Sequence, residues 1–231
     1  MLSILAGVLT LASLSAACTP SVTTVSGTHA PATVCSGELI FADEFNEFDL
    51  ERWQHENTLF QYYSNNRTNS FAHSGTLFIR PSLTSDQFGI PFITSGHLNI
   101  EGGAPADSFR YGRLEVRAKM PAGDWLWPAI WLMPAHNVYG TWPSSGEIDL
   151  VESRGNRNML INGVHIGTQE AGSTLHYGPY PELNGWERAH WIRRNGNGYD
   201  REFHRYQLEW TPDRKRCRLW ELVVMTKLCN E

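Results

Sequence analysis

Ser145-Gly146-Glu147-Ile148-Asp149-Leu150-Val151-Glu152-Ser153 carries three carboxylates and three aliphatic side chains between Glu147 and Glu152. Side chains alternate faces along a strand, so Glu147 and Asp149 point one way and Ile148 and Leu150 the other. Unbroken alternation would set Val151 beside the acids and Glu152 among the aliphatics, which suits neither residue. One extra residue near Leu150-Val151, a β-bulge, repairs the pattern. Ile148, Leu150 and Val151 then face a core, while Glu147, Asp149 and Glu152 face away from it. Acids in one row raise one another's pKa. Two readings of that cost stand open: acidic decoration of a solvated edge strand, or a row kept for chemistry.

Outward from this stretch the chain reads as a series of short strands. An opening strand is expected at 38–41. Further candidates lie at 76–80, 97–101, 111–120, 129–133, 146–153, 162–167 and 202–210, each bounded by Gly, Pro, Ser or Asn. The run from Arg113 to Met120 alternates without a fault, and Tyr206, Leu208 and Trp210 share one face of the last candidate. Pro128, Pro134, Pro143, Pro179 and Pro181 interrupt most windows a helix would need. Many short antiparallel strands without helices predict an all-β fold, a jelly-roll β-sandwich. Trp125, Trp127, Trp131 and Trp142 crowd the approach to the acidic strand. Two are expected in the core and two along a cleft.

The 231 residues suit one domain of the larger all-β type, and 41% hydrophobic with 19% charged residues is ordinary for a globular chain. A net charge of -5 gives no basic footprint, so nucleic acid is not expected as a partner. Residues 1–17 read as a secretory signal, with an apolar run from Ile4 to Leu14 and small Ser15 and Ala17 before Cys18. No later run is long enough to span a bilayer, so no membrane partner is expected and the protein is placed outside the cell. Secretion permits disulfides. Cys18, Cys35, Cys217 and Cys229 allow three pairings, of which Cys18–Cys35 closes a local loop and is preferred. Asn66-Arg67-Thr68 is an N-glycosylation sequon, in a polar stretch that equally suits contact with a ligand.

The acids have a specific use. Two carboxylates about 5–5.5 Å apart perform retaining glycoside hydrolysis, one as nucleophile and one as acid/base. Across the bulge, the Cα atoms of Glu147 and Glu152 stand roughly 13 Å apart, a gap that two inward-leaning Glu side chains narrow. Asp149 between them can hydrogen-bond Glu147, and its proximity helps keep the acid/base protonated near neutral pH.

The stretch Ser145–Glu152, continued by Ser153-Arg154-Gly155-Asn156, resembles the active-site strand of glycoside hydrolase family sixteen in its bulged Glu-x-Asp-x-x-Glu form. The nearest likeness is to animal β-1,3-glucanases (laminarinases) and to the non-catalytic β-1,3-glucan-binding proteins of invertebrates. It extends through CSGELIFADEFN from Cys35, the NNRTN region, RYGRLEVRAKMPAGDWLWPAIWLMP, TWPSSGEIDLVESRGN, TLHYGP and FHRYQLEWTPDR, most of residues 35–214. The resemblance implies a concanavalin A-like sandwich. It makes Glu147 the nucleophile, Asp149 its assisting acid and Glu152 the general acid/base. It places Trp127, Trp131 and Trp142 in the cleft and Asn66 and Arg67 near the substrate. His165 and His176 are further candidates, with His165 taken as substrate-binding. No cofactor is expected, and no ligand spacing specifies a metal. The implied function is a secreted endo-β-1,3-glucanase acting on laminarin-like β-glucan with retention. The alternative is a β-1,3-glucan-binding pattern-recognition protein, although such relatives have usually lost one or more of the acids and this chain keeps all three.

From residue 215 the sequence leaves the family pattern. The expected organisation is a signal (1–17), an extended arm (18–37), a partial sandwich (38–214) and a divergent tail (215–231) that does not supply the missing strands. Such a sandwich, incomplete at its C-terminus, would leave open edges and an unburied inner face.

Overall fold

The computed structural model describes residues 35–39, 41–50, 53–55, 67–85, 91–94, 98–99, 109–134, 136–219 and 222–223. The signal, the arm before Cys35, Asn66 and Cys229 lie outside the described residues. Cys35 is disulfide-bonded, and its preferred partner Cys18 also lies outside them.

The first half of the described chain forms short pairs: β1 (Gln54–His55), β2 (Ser70–Ala72), β3 (Leu77–Ile79), β4 (Ser82–Ser85), β5 (Pro91–Thr94) and β6 (Leu98–Asn99). Longer strands follow: β7 (Gly112–Ala118), β8 (Ala129–Leu132) and β9 (Glu147–Ser153). After them come β10 (Leu160–Ile161), β11 (Val164–His165) and β12 (Glu170–His176). The series closes with β13 (His190–Arg194), β14 (His204–Thr211), β15 (Arg214–Leu219) and β16 (Leu222–Val223). Two four-stranded antiparallel sheets result, ordered β13-β12-β9-β8 and β16-β15-β14-β7. The helical content among the described residues is two single 3-10 turns, Pro181–Leu183 and Gly185–Arg188, and none is long and apolar enough to cross a membrane.

Alternation decides which face each strand buries. On β7, Leu114, Val116 and Ala118 pack inward while Arg113, Glu115 and Arg117 stay exposed. On β14, His204, Tyr206 and Leu208 are buried, and Trp210 packs against the same core. Ile148, Leu150 and Val151 of β9, with Ala171 and Leu175 of β12, supply the opposing side. The sheet of β9 therefore has one apolar face on the core and the other free for a site. Fully burying a Leu, Ile or Val among these stabilises by about 1.5–3 kcal/mol relative to exposure.

Several expectations change. Residues 38, 39 and 41 are not in a strand, and Leu39 is exposed. A turn competes successfully there: Glu38 N–H donates to the Cys35 carbonyl, and Cys35 N–H donates to Glu38 Oε2 at 2.9 Å. The strand at 162–167 shrinks to a hairpin because Asn162 and Gly163 have φ of 50° and 76°, the conformation of a two-residue primed turn. The central strand β12 is an addition; its Ala171-Gly172-Ser173-Thr174 run has little apolar periodicity because it is buried on both faces. The tail also differs. Residues 214–219 pair with β14 from Thr211↔Arg214 to Tyr206↔Leu219, so it adds a strand to the sheet.

Candidate active site

β9 lies between β12 and β8, the position where a strand is held on both edges. On the β8 side Ile130 faces Val151 and Trp131 faces Asp149, which leaves Leu150 without an opposite number. On the β12 side Gly172 faces Glu152 and Thr174 faces Asp149 across the same irregularity. The extra residue puts both Leu150 and Val151 in the core, 1% and 0% exposed. Glu147, Asp149 and Glu152 emerge on the other face, with the two glutamates half-buried and Asp149 only 3% exposed. Gly146, just ahead of Glu147, has φ +86°, a left-handed conformation that costs an L side chain but not glycine.

Each glutamate receives an indole N–H. Trp142 Nε1 donates to Glu147 Oε2 at 2.5 Å, and Trp127 Nε1 donates to Glu152 Oε1 at 2.9 Å. The Thr174 hydroxyl lies 3.4 Å from Glu152 Oε2 and 2.9 Å from His190 Nδ1, linking the acid to β13. His176 Nε2 stands 3.2 Å from Asp149 Oδ2, and its ring lies 5.5 Å from that of Trp142. The ring N–H is not aligned closely enough on that oxygen to count as a hydrogen bond, so Asp149 Oδ2 is buried without a hydrogen-bond partner.

Burial pushes the Asp149 carboxyl up to about 8, helped by the charges of Glu152 and Glu147 and by a side-chain hydrogen bond with Glu147. Near neutral pH Asp149 is thus mostly a neutral acid that can donate to Glu147. Glu147, Asp149 and His176 also offer one donor atom each within 4.8 Å, the only such cluster of three potential metal ligands among the described residues. Glu147 accepts an indole N–H in the same cluster, and the raised Asp149 carboxyl can share its proton with Glu147.

None of the four clustered tryptophans is buried, which corrects the expectation of two in the core. Trp125, Trp127 and Trp142 are 86%, 67% and 39% exposed, and half-buried Trp131 sits cross-strand from Asp149 on the acid face. The loop that carries Trp125 and Trp127 is pinned to the end of β9 rather than tucked under it: Gly123 N–H donates to the Gly155 carbonyl, and Gly155 N–H donates to that of Leu126, both at 2.9 Å. Arg67 is exposed in a turn ahead of β2, and Asn66 lies outside the described residues. His165 is exposed on the β10–β11 hairpin, which belongs to a separate two-stranded sheet from the one bearing the acids.

Sequence reasoning did not single out Thr174, Asn184 or His190. The signal was available in part: Thr174 and His176 alternate onto one face of a strand, and register then brings Thr174 opposite His190. Asn184 arrives through the loop between β12 and β13, which no periodicity specifies.

Residues 94–217 match the family described as glycosyl hydrolases family 16. A β-1,3-glucan-binding protein of Penaeus monodon is 38% identical, with 81% of this chain and 62% of that protein aligned. A glucan endo-1,3-beta-glucosidase of Cryptopygus antarcticus is 32% identical over 82% of this chain and 68% of its own. Among solved structures, the laminarinase of Rhodothermus marinus superposes with a TM-score of 0.63 at 27% identity, covering 80% of this chain and 72% of that one. The chain therefore spans about two thirds of the length of these relatives, and its sheets have the jelly-roll arrangement of the laminarinase.

Proposed function

The chain belongs to glycosyl hydrolase family 16, and from that premise we propose that it is an endo-β-1,3-glucanase acting with retention. The observation that carries the reading is the pair of glutamates on one face of the bulged strand, each held by its own indole N–H. Glu147 attacks the anomeric carbon while Glu152 protonates the departing glycosidic oxygen. Water then resolves the glycosyl-enzyme, with Glu152 acting as base. Asp149, buried and neutral near pH 7, donates to Glu147 and so helps set the nucleophile's orientation and charge. Exposed Trp125 and Trp127 offer apolar faces on which sugar rings stack. Secretion, a Cys18–Cys35 bridge and substrate contacts from Asn66, Arg67 and His165 belong to this proposal.

A second reading is favoured by the Penaeus monodon relative: capture of β-1,3-glucan without turnover. Laminarin separates the two. Release of reducing ends that disappears in Glu147→Gln supports the hydrolase, with a loss of at least about 10³-fold expected for removing a nucleophile. Binding by a folded protein with no release would establish the second reading instead. Early-time NMR of the product anomer tests retention separately.

A further inference from the structure

Asn184 sits in the loop between β12 and β13, at the start of the turn Gly185–Arg188. Its Oδ1 accepts from two backbone amides, Tyr177 N–H at 3.3 Å and Trp186 N–H at 3.1 Å. Those donors fix the orientation of the amide, so the group facing His176 Nδ1 at 2.8 Å is the Nδ2 donor. His176 Nδ1 must accept, and the ring proton of the neutral imidazole is therefore on Nε2. The other tautomer would set an N–H against an NH2 group, or would require an amide flip that strips both backbone donors of their acceptor. Nε2 stands 3.2 Å from Asp149 Oδ2, an oxygen that is otherwise buried without a hydrogen bond. The ring lies against Trp142.

We propose that His176 is a positioning residue, locked by Asn184 in the tautomer that donates from Nε2 to Asp149 Oδ2, so that Asp149 presents its other oxygen to Glu147. The proposal rests on the hydrolase reading for its catalytic meaning. With Oδ2 facing an N–H, the Asp149 proton belongs on Oδ1, and the chain of donors runs Asn184, His176, Asp149, Glu147. The same ring steadies Trp142, the indole that donates to Glu147. One imidazole thereby supports the nucleophile along two routes. The titratable groups around Asp149 are Glu147 and Glu152 on its own strand and His176 on β12.

Nitrogen-15 NMR of histidine-labelled protein reads the tautomer directly: in the wild type His176 is expected protonated at Nε2 and bare at Nδ1. Asn184→Asp keeps an oxygen under both backbone amides yet offers Nδ1 an acceptor, so it should move a proton onto Nδ1. His176→Phe keeps a ring against Trp142 but has no N–H. It is expected to lower kcat on laminarin about tenfold while KM stays within about twofold. It should also raise the titration midpoint of Asp149, followed by carboxyl carbon-13 NMR, because losing an N–H donor favours the neutral acid. His176→Gln, which restores a donor, should recover most of both changes. A wild-type His176 protonated at Nδ1, or a His176→Phe protein with an unmoved Asp149 midpoint, overturns the proposal. Should the wild type bind laminarin without hydrolysing it, the hydrolase reading fails alone, and the tautomer and the Asp149 midpoint still decide this one.

Discussion

Asp149 shows how a single burial sets both chemistry and pH response. Its carboxyl is raised to about 8 chiefly by desolvation, then by the two flanking glutamates. An unfolded aspartate titrates near about 3.9. A group raised on folding contributes stability that is complete below the unfolded value and is lost as pH rises through the folded one. From this residue alone, stability should therefore decline between roughly pH 4 and pH 8. Urea midpoints at pH 5, 7 and 9 should fall more steeply for the wild type than for Asp149→Asn, whose neutral amide carries no such penalty. Parallel curves would contradict it. Tyr206 makes a second case at this scale. Its hydroxyl is fully buried between the sheets without a hydrogen-bond partner, and burial pushes its ionisation far up. Tyr206→Phe should leave stability unchanged or raise it by up to about 1 kcal/mol, since it removes an unsatisfied polar atom. A loss larger than that in chemical denaturation would mean the hydroxyl has a partner.

At the scale of elements, the strand ends and loops carry the specificity that alternation alone does not supply. Gly155 is the clearest example, because a Cβ there would collide with the backbone carbonyl of Gly123 and crowd the Leu126 side chain. The two backbone hydrogen bonds joining these segments keep the Trp127 loop against the end of β9. Gly155→Ala should cost about 1–3 kcal/mol through overpacking. It should also displace the Trp127 indole from Glu152, so kcat on laminarin should fall by a larger factor than stability loss explains. A variant with wild-type stability and turnover would show that the contact has slack. The bulge and the face of each acid were legible in Glu147–Ser153, because only one arrangement satisfies three acids and three aliphatics at once. β12 was not legible, since a strand buried on both faces shows no period of two. The turn at Cys35–Glu38 and the Asn162-Gly163 hairpin were lost to apolar neighbours that read as strand, although Asn-Gly is a strong turn signal.

For the molecule as a whole, the all-β sandwich was readable from alternation and the family from the acidic strand and its flanks, while the hydrogen-bond partners behind the acids were not. His176 is a candidate from the sequence, but Asn184 and His190 come from the loop after β12 and the start of β13, where position depends on tertiary packing rather than on local pattern. The tail marks the opposite error. From residue 215 the sequence leaves the family pattern, yet residues 214–219 add to β14 by backbone pairing, which places no demand on side-chain identity.

The bulge in β9 also has a genetic meaning. Removing the Val151 codon leaves Glu147-Ile148-Asp149-Leu150-Glu152, a run that alternates without interruption and keeps all three acids on one face. What such a deletion changes is the distance between the glutamates and the partner indole each one meets, not the side of the sheet on which they stand. A three-base edit thus tunes the spacing of the two glutamates while conserving all three acids, at the cost of the buried Val151 side chain beneath them.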